Sequence, residues 1–600
     1  MKLSYVLKKI YVKSEFWRKT FIVNFFICWF MVSGLFILSR NSETIDVNFM
    51  RDSNLVFILF PIFFGTICFS LIEWLFEELP IARISLLISF CSFSVVLLIV
   101  NSSMYTYFTL LIILFLVIHY ADFGGKGGLS SLRFKFPRKT IYALTALLAL
   151  FFAFITGTVS VLRYLTYSAP NFDFGLFCNM FYHMKTEFVP YISSERDMLL
   201  SHFAVHISPI FYLLLPFYMI FPSPVTLAVG QVVILYSGII PLLLLAKKRG
   251  LSRRVMVLLS IAYAAYPPLS AGTLYDIHEN CFLVPLLLWM FCFYERKKTV
   301  PFAIFALLVC LVKEDAFIYV AIFAVYLIFA KKENKKGAIM LSSCLLYFAF
   351  ASLMLANYGE GVMSHRYSNL LVGDEGLLGA VKTILINPGF TIGEIFKTNN
   401  LDSEKLFYFA QMMLPLALIP FISRKFTRYI LIVPILINLI TQYGYQFNTH
   451  FQYSFGITAY LFYITVLNLS ELKPKRQFSL SLTAAISSCF LFIVIMIPKY
   501  THYTDAYSAN YEQYAQLNSI LSEIPKDASV TASGFFVARL SDRHEVYEIA
   551  YHPTPSTEYL VLDMRGSASE TSKTYAEQYI AAGYKLVLHE SDLIAIYRKK

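Results

Sequence analysis

Apolar runs recur from Phe21 to Ile497, and short clusters of Lys and Arg stand between them. A run of about 20 apolar residues is the length needed to cross a lipid bilayer as a helix. Repeated along 600 residues, such runs exceed what one water-soluble core could bury. Hydrophobic residues make up 58% and charged residues 15% of the chain, with a mean hydropathy of +0.62, and both values point to a polytopic membrane protein. The net charge of +12 does not signal nucleic acid here, because the basic residues sit between the runs, where cytoplasmic loops carry them. Nine Cys fall mostly inside apolar segments with no CxxC pair, so they form no zinc-site pattern.

The basic clusters set a topology. Six Lys or Arg precede Phe21, which puts the N-terminus in the cytoplasm ahead of an uncleaved first span. Four spans, roughly 21–38, 55–72, 84–100 and 105–118, return the chain to a basic loop over 120–139. A fifth, 141–162, leads to an outer loop over 163–224 that gathers Asp173, His183, Lys185, Glu187, Glu195, Arg196, Asp197, His202 and His206. The segment 206–221 has only 16 residues and two prolines, and a crossing there would strand Lys247 to Arg254 on the wrong face; it is expected to be re-entrant. Ten further spans end at 480–497, fifteen in all, and leave the C-terminus outside. From Lys499 the composition becomes that of a small soluble α/β domain, with KDASVTAS and EYLVLDM as strands and YKLVLHESDLIAIYR as a hairpin. The expected organisation is a four-span extension over 1–139, a transmembrane core over 140–498 and an extracytoplasmic domain over 499–600, in a prokaryotic cell membrane.

With that topology derived from basic residues alone, the polar clusters converge on one face. They are Asp173, His202 with His206, Asp276-Ile277-His278-Glu279, Lys313-Glu314-Asp315, His365-Arg366 and His450. Ionisable groups at membrane depth are costly and mark function more often than chance. Each has a plainer alternative. Asp173 follows Pro170-Asn171 and suits a helix N-cap, as does DIHEN; His202 and His206, four apart, suit one helix face as structural histidines or as metal ligands; His365, Arg366 and His450 suit solvated loops. Lys313-Glu314-Asp315, in the middle of an apolar stretch between two short helices, must either pair internally or serve a site.

The ordered series NFDFGLF, SHFAVHISPIFYLLLPFY, YDIHEN, LVKEDAF, THFQYS, IPKDASV, LSDRHEVYE and EYLVLD resembles an uncharacterised multi-pass bacterial and archaeal family defined only by a domain of unknown function. That family in turn resembles the GT-C superfamily of glycosyltransferases. The resemblance covers about Ile141 to the C-terminus. It implies a GT-C-like bundle, a polyprenyl-phosphate-linked sugar donor and transfer to a glycan, lipid or protein acceptor on the extracytoplasmic face. It also implies that Asp173 is the catalytic acid-loop residue and Asp276 the second acidic position, although Phe172 and Phe174 flank Asp173 where some relatives carry paired acids.

The chemistry then asks for a base and for cations at the leaving phosphate. Asp173 is expected to be the base. Lys313, with Arg366, His202, His206, His365 and His450, is expected to bind donor phosphate, with Glu314 and Asp315 orienting Lys313. Asp276, His278 and Glu279 are expected to bind a divalent cation, Mg or Mn, or sugar hydroxyls. The competing reading is a transporter or flippase with a midplane ion pathway, against which stand the one-sided polar groups and the absence of an inverted repeat.

Overall fold

The computed structural model describes the chain except residues 1, 40–53, 76–80, 124–127, 132–136, 195–197, 362, 364, 372–375 and 398–403. Glu195, Arg196 and Asp197 therefore lie outside the described residues. The chain is mostly helical. An N-terminal group comprises α1 (Lys2–Ser39), α2 (Leu55–Leu75), α3 (Ile81–Val100) and α4 (Met104–Phe123). The core opens with α5 (Arg138–Leu165), α6 (Leu176–Glu187), α7 (Leu215–Ile220), α8 (Pro224–Ser237), α9 (Ile239–Lys248), α10 (Arg253–Ala264) and α11 (Pro267–Ala271). It continues through α12 (Leu283–Glu295), α13 (Thr299–Cys310), α14 (Phe317–Phe329), α15 (Asn334–Tyr358), α16 (Gly376–Ile386), α17 (Pro388–Phe396), α18 (Glu404–Met413), α19 (Val433–Leu439), α20 (Phe455–Leu469) and α21 (Pro474–Ala509). The C-terminal domain adds α22 (Tyr511–Ser522), α23 (Gly534–Val537) and α24 (Ala568–Ala581).

Among the described residues, eight helices are long and apolar enough to cross a membrane. The other seven expected crossings are occupied by shorter pieces, and the reason is local. Prolines at 267–268, 415, 420 and 434 remove backbone donors, and the chain answers with 3₁₀ turns such as Phe426–Ile432. Irregular backbone of this kind is tolerated at membrane depth only where protein surrounds it. α20 meets that condition, since all fifteen of its residues are buried. The segment 206–221 is a 3₁₀ turn, Pro209–Leu213, followed by α7, too short to cross.

Lipid tails are as apolar as Leu, so helices inside a bilayer associate through close packing and hydrogen bonds. The N-terminal group docks on α21 in this way, with Tyr107 Oη 2.8 Å from Ser487 Oγ and the Phe90 and Phe490 rings 6.3 Å apart. At the centre, a Cβ on Gly456 would fall 2.2 Å from the Tyr319 ring. Glycine at that position lets the start of α14 press against α20, which fixes the turn carrying Lys313 to Asp315.

In the C-terminal domain ordinary hydrophobic burial operates. Its five-stranded sheet has the order β4-β3-β5-β7-β6, from β3 (Val530–Ala532), β4 (Val546–Glu548), β5 (Tyr559–Asp563), β6 (Tyr584–Glu590) and β7 (Ile594–Lys599). β4, β3 and β5 are parallel, whereas β7 joins β5 and β6 antiparallel. Side chains alternate across a strand. Tyr559 and Val561 accordingly pack with Leu517 and Phe536 on one face, and Leu560 and Leu562 pack with Tyr579 on the other.

The sheet is hydrogen-bonded to the 163–224 segment, whose ribbon pairs β1 (Tyr191–Ile192) with β2 (Leu200–Ser201). Ser193 Oγ donates to Val546 O (2.7 Å) and accepts from Val546 N (3.0 Å), while Asn171 Nδ2 donates to Glu548 Oε2 (2.9 Å) and Asn179 Nδ2 to Arg543 O (3.0 Å). Arg539 stacks 3.9 Å over the Tyr164 ring at the end of α5. This domain is therefore a roof on the bundle end where α5 finishes.

Candidate active site

Beneath that roof the polar clusters assemble from four chain segments. Asp173 lies in an irregular turn, Asn171–Gly175, between α5 and α6. It caps no helix; its Oδ2 stands 2.9 Å from His278 Nε2, and Tyr275 adds a second contact. His278 Nδ1 lies 3.2 Å from Asp276 O, which holds the ring in place. DIHEN likewise makes no side-chain cap at the 3₁₀ turn Glu279–Phe282 that leads into α12. The two capping alternatives thus fail for one reason: neither side chain bonds a helix-start amide, and the two meet each other instead.

Burial opposes the charge of Asp173, but His278 and Lys313 outweigh it and hold the carboxyl below its usual range. For His278 burial again opposes charge, and Asp173 outweighs it, raising the imidazole. Asp276 differs. Burial dominates and, with the charge of Asp173 nearby, pushes it up to about 6 despite Arg163 Nη1 at 3.1 Å. Three acids in one site thus split into an ionised one beside its imidazolium partner, an easily protonated one, and Glu279.

Glu279, 1% exposed, is held down to about 2: burial resists its charge, but Lys313 Nζ at 2.9 Å and the neighbouring histidines overcome it. Lys313, 3% exposed, is raised because Glu279, Glu314 and Asp315 outweigh burial. Glu279 is therefore the partner of Lys313, where Glu314 and Asp315 were expected to orient it. Glu314 instead accepts from Ile207 N at 3.1 Å and pairs with His206 Nδ1 at 2.9 Å. His202 and His206 are not on an α-helical face: His202 opens a 3₁₀ turn, His202–Ala204, and the two rings lie 5.9 Å apart at the edge of the cluster.

Asp315 looks the other way, into a cavity of ≈ 470 Å³. Burial and Glu314 push its carboxyl up, to about 6, against the pull of Lys313. Asn280, Glu314, Arg366 and Tyr453 line the same polar end, and Leu345, Phe348, Leu378, Val381, Ile384 and Ile437 line the rest. Arg366 sits between the Tyr443 and Tyr453 rings, 5.4 and 5.2 Å from their centroids, and forms no ion pair among the described residues. His365 and His450 do not join. His365 is exposed beside Tyr443, and His450 faces a separate cavity of ≈ 150 Å³ with Arg163 and Lys499.

Sequence reasoning passed over Arg163. A lone Arg at the end of an apolar span that the basic clusters assign to the outer face runs against the positive-inside bias and was the signal that could have found it.

Fold and site together define a polytopic helical membrane protein with a buried ionisable centre under a small sheet domain. The chain belongs to the family described as Predicted membrane protein (DUF2079), whose model matches residues 161–594. No curated protein matches it. Among solved structures it is similar to ArnT from Cupriavidus metallidurans bound to undecaprenyl phosphate, with 10% identity and a TM-score of 0.49 over 77% of this chain and 98% of that one. The apo state of the same protein gives 10% identity and a TM-score of 0.45 over 75% and 97%.

Proposed function

We propose that this chain is a membrane glycosyltransferase that takes a sugar from a polyprenyl phosphate and passes it to an acceptor on the extracytoplasmic face, beneath the C-terminal domain. The observation that carries the reading is the pairing of an ionised Asp173 with His278 close to the buried Lys313, next to an apolar cavity whose polar end holds Asp315 and the half-buried Arg366. A polyprenyl phosphate, the class to which the undecaprenyl phosphate of the ArnT structure belongs, has that build: a long apolar tail and an anionic phosphate head, whose charge grows when the sugar leaves.

In the proposed reaction the acceptor oxygen or nitrogen attacks the anomeric carbon and its proton goes to the Asp173 carboxylate. The bond from anomeric carbon to phosphate oxygen breaks, and its electron pair stays on the lipid phosphate. Lys313 and Arg366 offset that charge in a site where burial strengthens the interaction. His278 keeps Asp173 oriented and ionised before the attack. Asp276, partly protonated near pH 6, is suited to donate to or accept from a sugar hydroxyl through its buried Oδ2, which has no hydrogen bond.

Of the two ligands the sequence offers for Asp276, His278 and Glu279, a Mg or Mn ion or sugar hydroxyls, the hydroxyls fit better. The donor set does not suit the ion, because Arg163 already pairs with Asp276 and Lys313 with Glu279. Among the described residues, His, Cys, Asp and Glu atoms converge at ligand spacing elsewhere, at His183, Glu187 and His544.

The test is sugar transfer in proteoliposomes from a radiolabelled polyprenyl-phosphate sugar, comparing wild type with Asp173→Asn and Lys313→Ala at matched expression. Loss of transfer in both variants is the expected result. Unchanged glycans together with altered movement of lipid between leaflets would instead make the chain a flippase.

A further inference from the structure

α6 carries His183 and Glu187 one turn apart on the same face, and the loop before β4 brings His544 onto them. The two histidines are 361 residues apart in the chain, yet their rings are 4.9 Å centre to centre. His183 Nε2 lies 3.0 Å from the His544 carbonyl oxygen. A carbonyl only accepts, so this nitrogen carries the hydrogen. In the neutral ring the other nitrogen, Nδ1, then presents a lone pair to Glu187 Oε1 at 3.1 Å. His544 Nε2 approaches the same oxygen to 3.7 Å. Three electron-rich atoms thus face one point, and something positive belongs among them.

The spacing suits a metal ion. With metal–ligand bonds of about 2.0–2.2 Å, tetrahedral ligand atoms lie roughly 3.3–3.6 Å apart; the Glu187 oxygen stands 3.1 and 3.7 Å from the two imidazole nitrogens, and all three atoms lie within 4.8 Å of one another. A ligating imidazole whose other nitrogen donates to a backbone carbonyl is also the usual outer-shell arrangement, which fixes tautomer and ring direction. His183 is fully buried, whereas Glu187 and His544 are exposed, so the remaining coordination position opens to water. Two imidazoles and one carboxylate with no thiolate favour a borderline divalent ion of the zinc class over Mg or Ca.

We propose that His183, Glu187 and His544 bind one zinc-class divalent ion that staples the C-terminal domain to α6. The staple spans the contact where Asn179 and Ser193 meet the domain, and α6 begins three residues after Asp173. It therefore holds the roof over the polar cluster without touching the reacting groups.

Zinc titration of the purified full chain in detergent, stripped with chelator and competed with a chromophoric zinc indicator, tests this. Wild type should take up one tight equivalent, and its Tm should rise. The surface variants Glu187→Gln and His544→Gln should weaken that equivalent by about 100-fold or more, while their Tm in chelator equals that of wild type in chelator, which shows that they fold. Cobalt in place of zinc should give a tetrahedral ligand-field spectrum that both variants lose. The proposal is overturned if wild type takes up no tight equivalent, leaving His183 and Glu187 as a proton-bridged pair, or if both variants retain it, which places the metal elsewhere. Sugar transfer is not needed for any of these readings, so they stand apart from the proposed activity.

Discussion

The two ends of the helical bundle treat charge in opposite ways. At the end away from the C-terminal domain, Glu295 accepts from Arg249 and from Tyr463 Oη (2.7 Å), and Glu471 accepts from Arg428 and Lys425, each at 2.6 Å. Those acids are satisfied, and Glu471 is 42% exposed. At the domain end, Asp276 and Glu279 are buried, yet Asp276 Oδ2 and Glu279 Oε2 lack hydrogen bonds. A buried polar atom without a partner costs about 1–3 kcal/mol, more when charged. Satisfied pairs at one end and spare acceptors at the other distinguish groups that hold helices together from groups arranged for a ligand.

The contrast is sharpest at Asp173. Asp173→Asn keeps the shape and removes the charge, so transfer should fall by about 10²–10⁴ while the detergent-solubilised protein elutes as before and melts only modestly lower, because His278 loses its charged partner. Equal rates in initial-velocity assays would erase the distinction between the two ends. Lys313→Met should act on stability as well, because it strands Glu279: a loss of about 3–5 kcal/mol in denaturant titration, recovered in the double variant Lys313→Met/Glu279→Leu without recovery of transfer.

Arg366→Gln should raise KM for the lipid donor about tenfold or more with a smaller change in kcat, the signature of a lost charged contact to the head group. A pH series offers a finer test. Asp173 is lowered in the folded chain, so its contribution to stability is complete above its unfolded value of about 4 and is lost as pH falls through the folded pKa. His278 is raised, so its contribution is complete below about 6.5 and is lost as pH rises through its folded pKa. The stability difference between wild type and His278→Gln should therefore be largest between about pH 4 and 6.5. Least affected should be Glu471→Gln at the opposite end, which should cost no more than about 1 kcal/mol in thermal melts and leave transfer unchanged.

Much of the fold was legible because lipid imposes a simple length rule; the helices from α1 to α5, from α8 to α15 and from α18 to α21 fall largely on the apolar runs. Their lengths were less legible. Proline broke several into 3₁₀ turns that only surrounding protein makes tolerable, and the stretch 357–405, which reads as a plain loop, contains α16 and α17. For the polar groups, apolar context singled out Asp173, DIHEN and Lys313-Glu314-Asp315 as costly. Partner choice was not readable. That Lys313 meets Glu279 across 34 positions rather than its neighbour Glu314, or that Glu314 meets His206, depends on how α14 packs against α20.

Hydropathy and charge bias thus determined by themselves that this chain lives in a membrane, where most of its helices run and which residues are too polar to be idle there. These are additive properties of local composition. Only tertiary structure decided that His278 neutralises Asp173, that Arg163 reaches Asp276, that His365 and His450 stand apart, and that His544 arrives beside His183 from 361 residues away. Contacts of a few ångströms between distant segments depend on helix packing and domain docking, and no periodicity along the chain encodes them.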